Sequence, residues 1–127
     1  MDFDITGQWT KNADAILNFA KDQNDQGNPF PVFGTCMGFQ LFAYLTSNYN
    51  NTILTRVHGD QNIILPINLV ADGHIFSTLT STQKEKLTKG GLMLFNHNWA
   101  VTLDTFYTNS FLKYVWNLVA TATTPQN

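Results

Sequence analysis

"PVFGTCMGFQ", residues 31–40, holds the only cysteine of a 127-residue chain, Cys36, with Gly34 two positions before it and Gly38 two after it. An apolar run, "FPVFGT" (30–35), leads into the cysteine. Behind it, "MGFQLFAYLTSN" (37–48) carries Phe39, Phe42 and Leu45 at helical spacing. Strand, sharp turn, helix is the layout of a nucleophile elbow, which lifts a reactive side chain to the mouth of the helix. Pro31 suits the start of such a strand because it has no N–H to give to a ladder. Gly34 and Gly38 lack a Cβ, so strand and helix can approach closely around the turn. A helix N-terminus favours a thiolate, and the backbone N–H of Met37 stands where it can donate to an oxyanion. Together these choices serve acyl transfer through a thioester. The local pattern alone leaves a second account open, an inert buried thiol whose glycines serve ordinary packing.

On the N-terminal side, "KNADAILNFAKDQ" (11–23) has Ala13, Ile16, Leu17 and Ala20 on one face and predicts an amphipathic helix, stopped by Gly27 and Pro29. "FPVFGT" predicts a short, fully apolar strand of the kind buried in a parallel sheet. Beyond the elbow, "TILTRV" (52–57) and "NIILPINLV" (62–70) predict strands, with "HGDQ" (58–61) as the turn between them. "TSTQKEKLTKGG" (80–91) predicts a helix with a capping box at Thr82 and Glu85 and a stop at Gly90-Gly91. "GLMLFNHNW" (91–99) predicts a strand running into His97, and "WAVTLD" (99–104) an edge segment. "SFLKY" (110–114) predicts one helical turn before a β-rich run, "VWNLVATAT" (115–123), and a frayed "TPQN" tail. The order predicts an α/β protein around a central sheet, one domain over residues 1–127. An opening helix with no strand before it and a closing strand would leave sheet edges open, so a piece of a larger sheet is expected.

Composition narrows the function classes. With 43% hydrophobic and 13% aromatic residues the chain can build a core. Seven Lys and Arg against nine Asp and Glu, a net charge of −2, offer no basic footprint for nucleic acid or an anionic membrane surface. No run approaches the roughly 18 to 20 apolar residues of a membrane span. The start, "MDFDITGQW", lacks the basic and apolar regions of a secretory signal. One cysteine and three histidines (His58, His74, His97) show none of the short pair spacings of a metal site, and no cofactor is implied. Asn50 heads a glycosylation sequon, "NNT". With 14 Asn, and Ser or Thr at 20 positions, about two such matches arise by chance, so the sequon by itself carries nothing.

At this point the residues carry a resemblance. "FPVFGTCMGFQ" resembles the nucleophile region of the γ-glutamyl hydrolases, cysteine-dependent enzymes of peptidase family C26 that trim folate polyglutamates. They sit in the class I glutamine amidotransferase-like superfamily, whose elbow G-x-C-x-G-x-Q is matched by Gly34, Cys36, Gly38 and Gln40. "ILPINL" is similar to the hydrolases' Pro-x-Asn segment, and "NHNWAVTL" to their His-x-Trp segment beside the substrate cleft. The resemblance covers roughly residues 10 to 120. It implies a flavodoxin-like three-layer fold with a central, mostly parallel sheet, here truncated at both ends. It implies Cys36 as nucleophile, the Met37 N–H as oxyanion donor, and His97 and Trp99 as substrate-side residues. It further implies a folyl or antifolate polyglutamate as substrate, a homodimer as in the family, and a vacuolar, lysosomal or secreted location.

The chain also departs from the family pattern. The family's general base lies in a late His-Pro-Glu segment, and no His-Pro occurs here. The family's Gly-Gly oxyanion loop precedes the first helix, where this chain has only Gly7. His97 is then a candidate site residue and a weaker candidate base, with a structural role as the alternative. His58 and His74 fall in predicted turns. Trp99 is either a packing residue or a cleft-lining one. A chain without the base is expected to be inactive alone. Two other functions remain open: the glutaminase domain of a class I amidotransferase, and a non-catalytic remnant that binds a γ-glutamyl ligand.

Overall fold

A computed structural model describes residues 3–58, 61–71 and 73–125. The centre of the expected 58–61 turn (Gly59, Asp60), Asp72, and the first two and last two residues of the chain lie outside the described residues. The chain divides into two compact units, Met1–Thr55 with Trp99–Tyr114, and Arg56–Asn98 with Val115–Asn127.

In the first unit, α1 (Gln8–Asp25) is longer than its apolar spacing predicts, because Gly7 in extended conformation starts it ahead of Lys11. Leu17 and Ala20 are buried as expected, but Ile16 is more than half exposed. Gly27 at φ +80° ends the helix in the left-handed conformation that glycine adopts at little cost. The Asn24 amide then pins the outgoing chain in both directions. Its Oδ1 accepts from the Phe30 N–H at 2.8 Å and its Nδ2 donates to the Phe30 carbonyl at 3.2 Å. Phe30 also meets Phe19 of α1 edge-on, with ring centroids 5.2 Å apart.

The helix α2 (Met37–Thr46) packs on α1 and is the most buried element of the chain. Leu41, Ala43, Tyr44 and Leu45 join Leu17, Ala20, Ile53, Leu54 and Leu112 in the core of this unit. Apolar residues run almost all round α2, so it is set to be covered on several sides. The short helices α5 (Leu103–Thr108) and α6 (Ser110–Val115) follow the strand β5 (Trp99–Ala100). Thr102 caps α5, its hydroxyl accepting from the Thr105 N–H at 3.2 Å. The sequence signals foresaw α6 and missed α5.

The strand expected over residues 30–35 does not form; these residues have no regular secondary structure. A strand exists only as part of a ladder, and no described residue pairs with this run. Phe33 is 81% exposed as a result. The strand β1 is reduced to Thr55–Arg56.

In the second unit, β2 (Ile63–Leu65) pairs antiparallel with β4 (Met93–Phe95), Ile64 opposite Leu94. β3 (Asn68–Leu69) pairs antiparallel with β6 (Ala120–Thr121). Pro66 separates β2 from β3, as an N–H-less residue in mid-run must. Every sheet among the described residues has two strands. The fold is therefore mixed α/β with small sheets, antiparallel wherever a register is defined. Two helices complete this unit, α3 (His74–Ser77) and α4 (Ser81–Thr88). The capping box of α4 uses Thr80 and Gln83, two residues before the expected Thr82 and Glu85. Both pairs satisfy the same spacing rule, and Thr80 takes the cap because its backbone is extended (φ −66°, ψ 160°). Gly90 and Gly91, at φ +99° and +97°, provide the stop.

Candidate functional site

The elbow is built by a reverse turn over Thr35–Gly38, closed by the Gly38 N–H donating to the Thr35 carbonyl at 2.9 Å. Cys36 occupies its second position at φ 54°, ψ −113°. This combination lies outside the small left-handed helical region open to ordinary residues and suits glycine far better. A cysteine held there costs about 1 to 3 kcal/mol, a cost that persists only where the surrounding structure imposes it. Cys36 is also the N-cap of α2: its carbonyl accepts the first helical hydrogen bond, from the Gln40 N–H at 3.1 Å. Its side chain caps nothing and is exposed. Its exposure does not match the buried placement that the packing alternative assumed.

The two glycines differ. A Cβ on Gly34 would lie 2.8 Å from the carbonyl carbon and oxygen of Gly38 and 2.9 Å from the Phe39 nitrogen. Those are backbone atoms, and they cannot yield. A Cβ on Gly38 would meet nothing within 4 Å. The expectation that both glycines allow close approach thus holds for Gly34 and is corrected for Gly38, because only Gly34 has its Cα aimed at the first turn of the helix.

Met37 is the first residue of α2, where helical N–H groups have no intrahelical partner. Its N–H therefore lies at the open end of the helix, next to Cys36. Gln40 is buried one turn further on, and its Nε2 donates to the carbonyl of Trp99 at 3.1 Å. The structure thus brings Cys36, Met37, Gly34, Gly38, Gln40 and the half-buried Trp99 into one unit. His97 belongs to the second unit, half-buried, with its ring edge-on to Phe95 at 5.7 Å. His58 and His74 are exposed, His74 at the first position of α3 rather than in a turn. Among the described residues no three His, Cys, Asp or Glu side chains stand together as a metal-ligand set, and no helix is long and apolar enough to cross a membrane.

Sequence reasoning missed two features. One is the partner of Gln40, since nothing in a linear pattern ties position 40 to a carbonyl 59 residues away. The other is an open polar hollow of about 280 Å³ lined by Asn50, Thr52, Ile53, Thr105, Thr108 and Asn109. Its only advance signal was the polar density of "NYNNT" and "TFYTN".

The elbow geometry defines a class, proteins with a strained cysteine at a helix mouth. Comparison with known proteins narrows it. The chain is 30% identical over 126 residues to gamma-glutamyl hydrolase 1 of Arabidopsis thaliana, a match covering 92% of this chain and 36% of that protein. It is 28% identical over 118 residues to the gamma-glutamyl hydrolase of Rattus norvegicus, covering 91% and 36%. With gamma-glutamyl hydrolase B of Dictyostelium discoideum the identity is 26% over 124 residues, covering 95% and 35%. No protein-family model matches the chain. The chain is a relative of the γ-glutamyl hydrolases along more than nine tenths of its own length, and it spans about a third of theirs.

Proposed function

We propose that this chain carries the nucleophile part of a γ-glutamyl hydrolase, a cysteine hydrolase that cleaves the γ-glutamyl bonds of folate polyglutamates. The observation that carries the proposal is Cys36 itself: exposed, held at φ 54° at the head of α2, beside the Met37 N–H. A thiol in this place attacks the γ-carbonyl carbon of a γ-glutamyl amide. The carbonyl oxygen takes the negative charge and receives the Met37 N–H. The C–N bond then breaks, the amine leaves with a proton, and a γ-glutamyl thioester remains on Cys36. Water attacks that thioester, releases the acid and returns the thiol.

Gln40 holds the Trp99 carbonyl against the nucleophile helix, and His97 and Trp99 act on the substrate side. The general base belongs to a His-Pro-Glu segment, and the 127 residues contain no such run. Separating a nucleophile from its base costs on the order of 10⁴ to 10⁶ in rate. A helix terminus contributes about 0.3 to 1 kcal/mol and cannot offset that. The chain alone is therefore expected to show no turnover. The mostly parallel central sheet of the amidotransferase-like fold would then form where the exposed 30–35 run meets strands supplied by the rest of a complete hydrolase. A small-molecule polyglutamate as substrate, a homodimer, and a vacuolar, lysosomal or secreted location belong to the same proposal.

A chimaera tests it. Residues 10–120 replace the matching segment of the Arabidopsis enzyme, and release of glutamate from a folyl polyglutamate is followed. The chimaera is expected to turn over substrate, and Cys36→Ser within it is expected to lose at least about 10⁴-fold. A folded Cys36→Ser chimaera that keeps the full activity of its parent would overturn the assignment.

A further inference from the structure

We propose that Asn50 is an N-glycosylation acceptor, a modified asparagine on the loop between α2 and β1. The "NNT" match carries nothing by itself, and the three-dimensional arrangement around it is what selects this asparagine. After α2 ends, Asn48 and Tyr49 both adopt positive φ (63° and 56°) and turn the chain outward. Asn50 then forms a tight turn on its own sequon. Its Oδ1 accepts from the Thr52 N–H at 2.9 Å and from the Thr52 hydroxyl at 2.8 Å. Its backbone is held as well, the N–H donating to Ser47 Oγ at 3.2 Å and the carbonyl accepting from the Ile53 N–H at 3.2 Å.

The consequence is a division of labour within one amide. The oxygen is engaged by both groups of Thr52, and the nitrogen, Nδ2, has no hydrogen-bond partner among the described residues. With Oδ1 engaged by Thr52, Nδ2 is the polar end of the side chain left for bond formation. Asn51 and Thr52 are exposed and Asn50 itself is half-buried, so the tripeptide lies at the surface with its acceptor partly covered. Asn50 and Thr52 also line the polar hollow, whose far wall is Thr105, Thr108 and Asn109. A hollow of about 280 Å³ walled by hydroxyl and amide groups receives the first sugar of a glycan beside its point of attachment.

The co-reactant is a lipid-linked oligosaccharide diphosphate. Nδ2 bonds to C1 of its reducing sugar and the C1–O bond to the diphosphate breaks. The lipid diphosphate leaves with that electron pair, and one amide proton is released. Modification of Asn50 shares with the proposed function only the luminal or secretory route. It does not depend on Cys36 or on hydrolysis.

The test places the full chain behind a cleavable secretion leader in a eukaryotic host and recovers it from the medium. Treatment with peptide N-glycosidase is expected to increase its mobility and to convert Asn50 to aspartate in the peptide that spans it. Asn50→Asp keeps the Oδ1 acceptor and is expected to lose the mobility shift completely. Thr52→Ser is expected to retain the shift and Thr52→Ala to lose it. Secreted chain with an unmodified Asn50 overturns the proposal, whatever the outcome of the hydrolase chimaera.

Discussion

The elbow at Cys36 and the helix α4 start in opposite ways. α4 obeys every local rule: Thr80 is extended, its hydroxyl accepts the Gln83 N–H, the Gln83 side chain returns the bond, and two glycines at positive φ end it. α2 breaks them at the same point in its helix. Its N-cap is a non-glycine residue at positive φ whose side chain caps nothing, preceded by a glycine that admits no Cβ. Strain of this kind persists where the surrounding structure imposes it, and such places concentrate at functional sites. α4 holds by short-range hydrogen bonds on a polar surface, whereas α2 holds by burial of Leu41, Ala43, Tyr44 and Leu45.

On that contrast, the largest effect belongs to Gly34→Ala. Its Cβ meets backbone, so about 3 kcal/mol of unfolding free energy is expected to go, read from urea denaturation. Cys36→Gly should move the other way. Relief of strain at φ 54° outweighs the added flexibility of the unfolded chain, leaving a net gain of about 1 to 2 kcal/mol. A destabilised Cys36→Gly would mean the turn is not strained. Thr80→Ala at the obedient helix is expected to cost about 1 kcal/mol, by the same denaturation assay. Gly38→Ala should be neutral or stabilise by up to about 0.5 to 1 kcal/mol, since it adds a Cβ in open space within the first turn of α2. Equal losses at positions 34 and 38 would refute the asymmetry of the two glycines.

The smallest effect is one of pH. The Asp4 carboxylate accepts from the Thr6 hydroxyl at 2.7 Å and from the Thr6 N–H at 2.8 Å. The hydroxyl bond first, then the backbone bond, lowers its pKa below the usual 3.8. A lowered pKa means the folded state binds this proton less readily than the unfolded one. Its contribution is present above the unfolded value and is lost as pH falls through the folded one. Asp4→Asn is therefore expected to lower stability slightly at neutral pH, where the carboxylate contributes, and to converge with the parent protein in acid, which flattens the acid limb below about pH 4. Thermal unfolding of the two proteins across roughly pH 2 to 7 measures it.

Much of this protein was legible in its residues because much of it is decided locally. Apolar spacing predicts α1 and α2, polar punctuation predicts α4 and α6, and G-T-C-M-G announces a turn that only a special backbone can make. The elbow motif also identified the relatives, since the match to γ-glutamyl hydrolases covers the whole neighbourhood of Cys36. What local pattern could not decide was anything that needs a partner. The run 30–35 has the composition of a buried strand and forms none, because a ladder is a property of two segments. Ile16 sits in an apolar stripe and is exposed, because burial depends on what packs opposite. The bond from Gln40 to the Trp99 carbonyl and the room beside Asn50 are likewise set by distant chain. The order of residues was enough to point to the family this chain is related to. Which side chains are held near Cys36 was left to the folded chain, because hydrogen bonding and packing act through space rather than along the backbone.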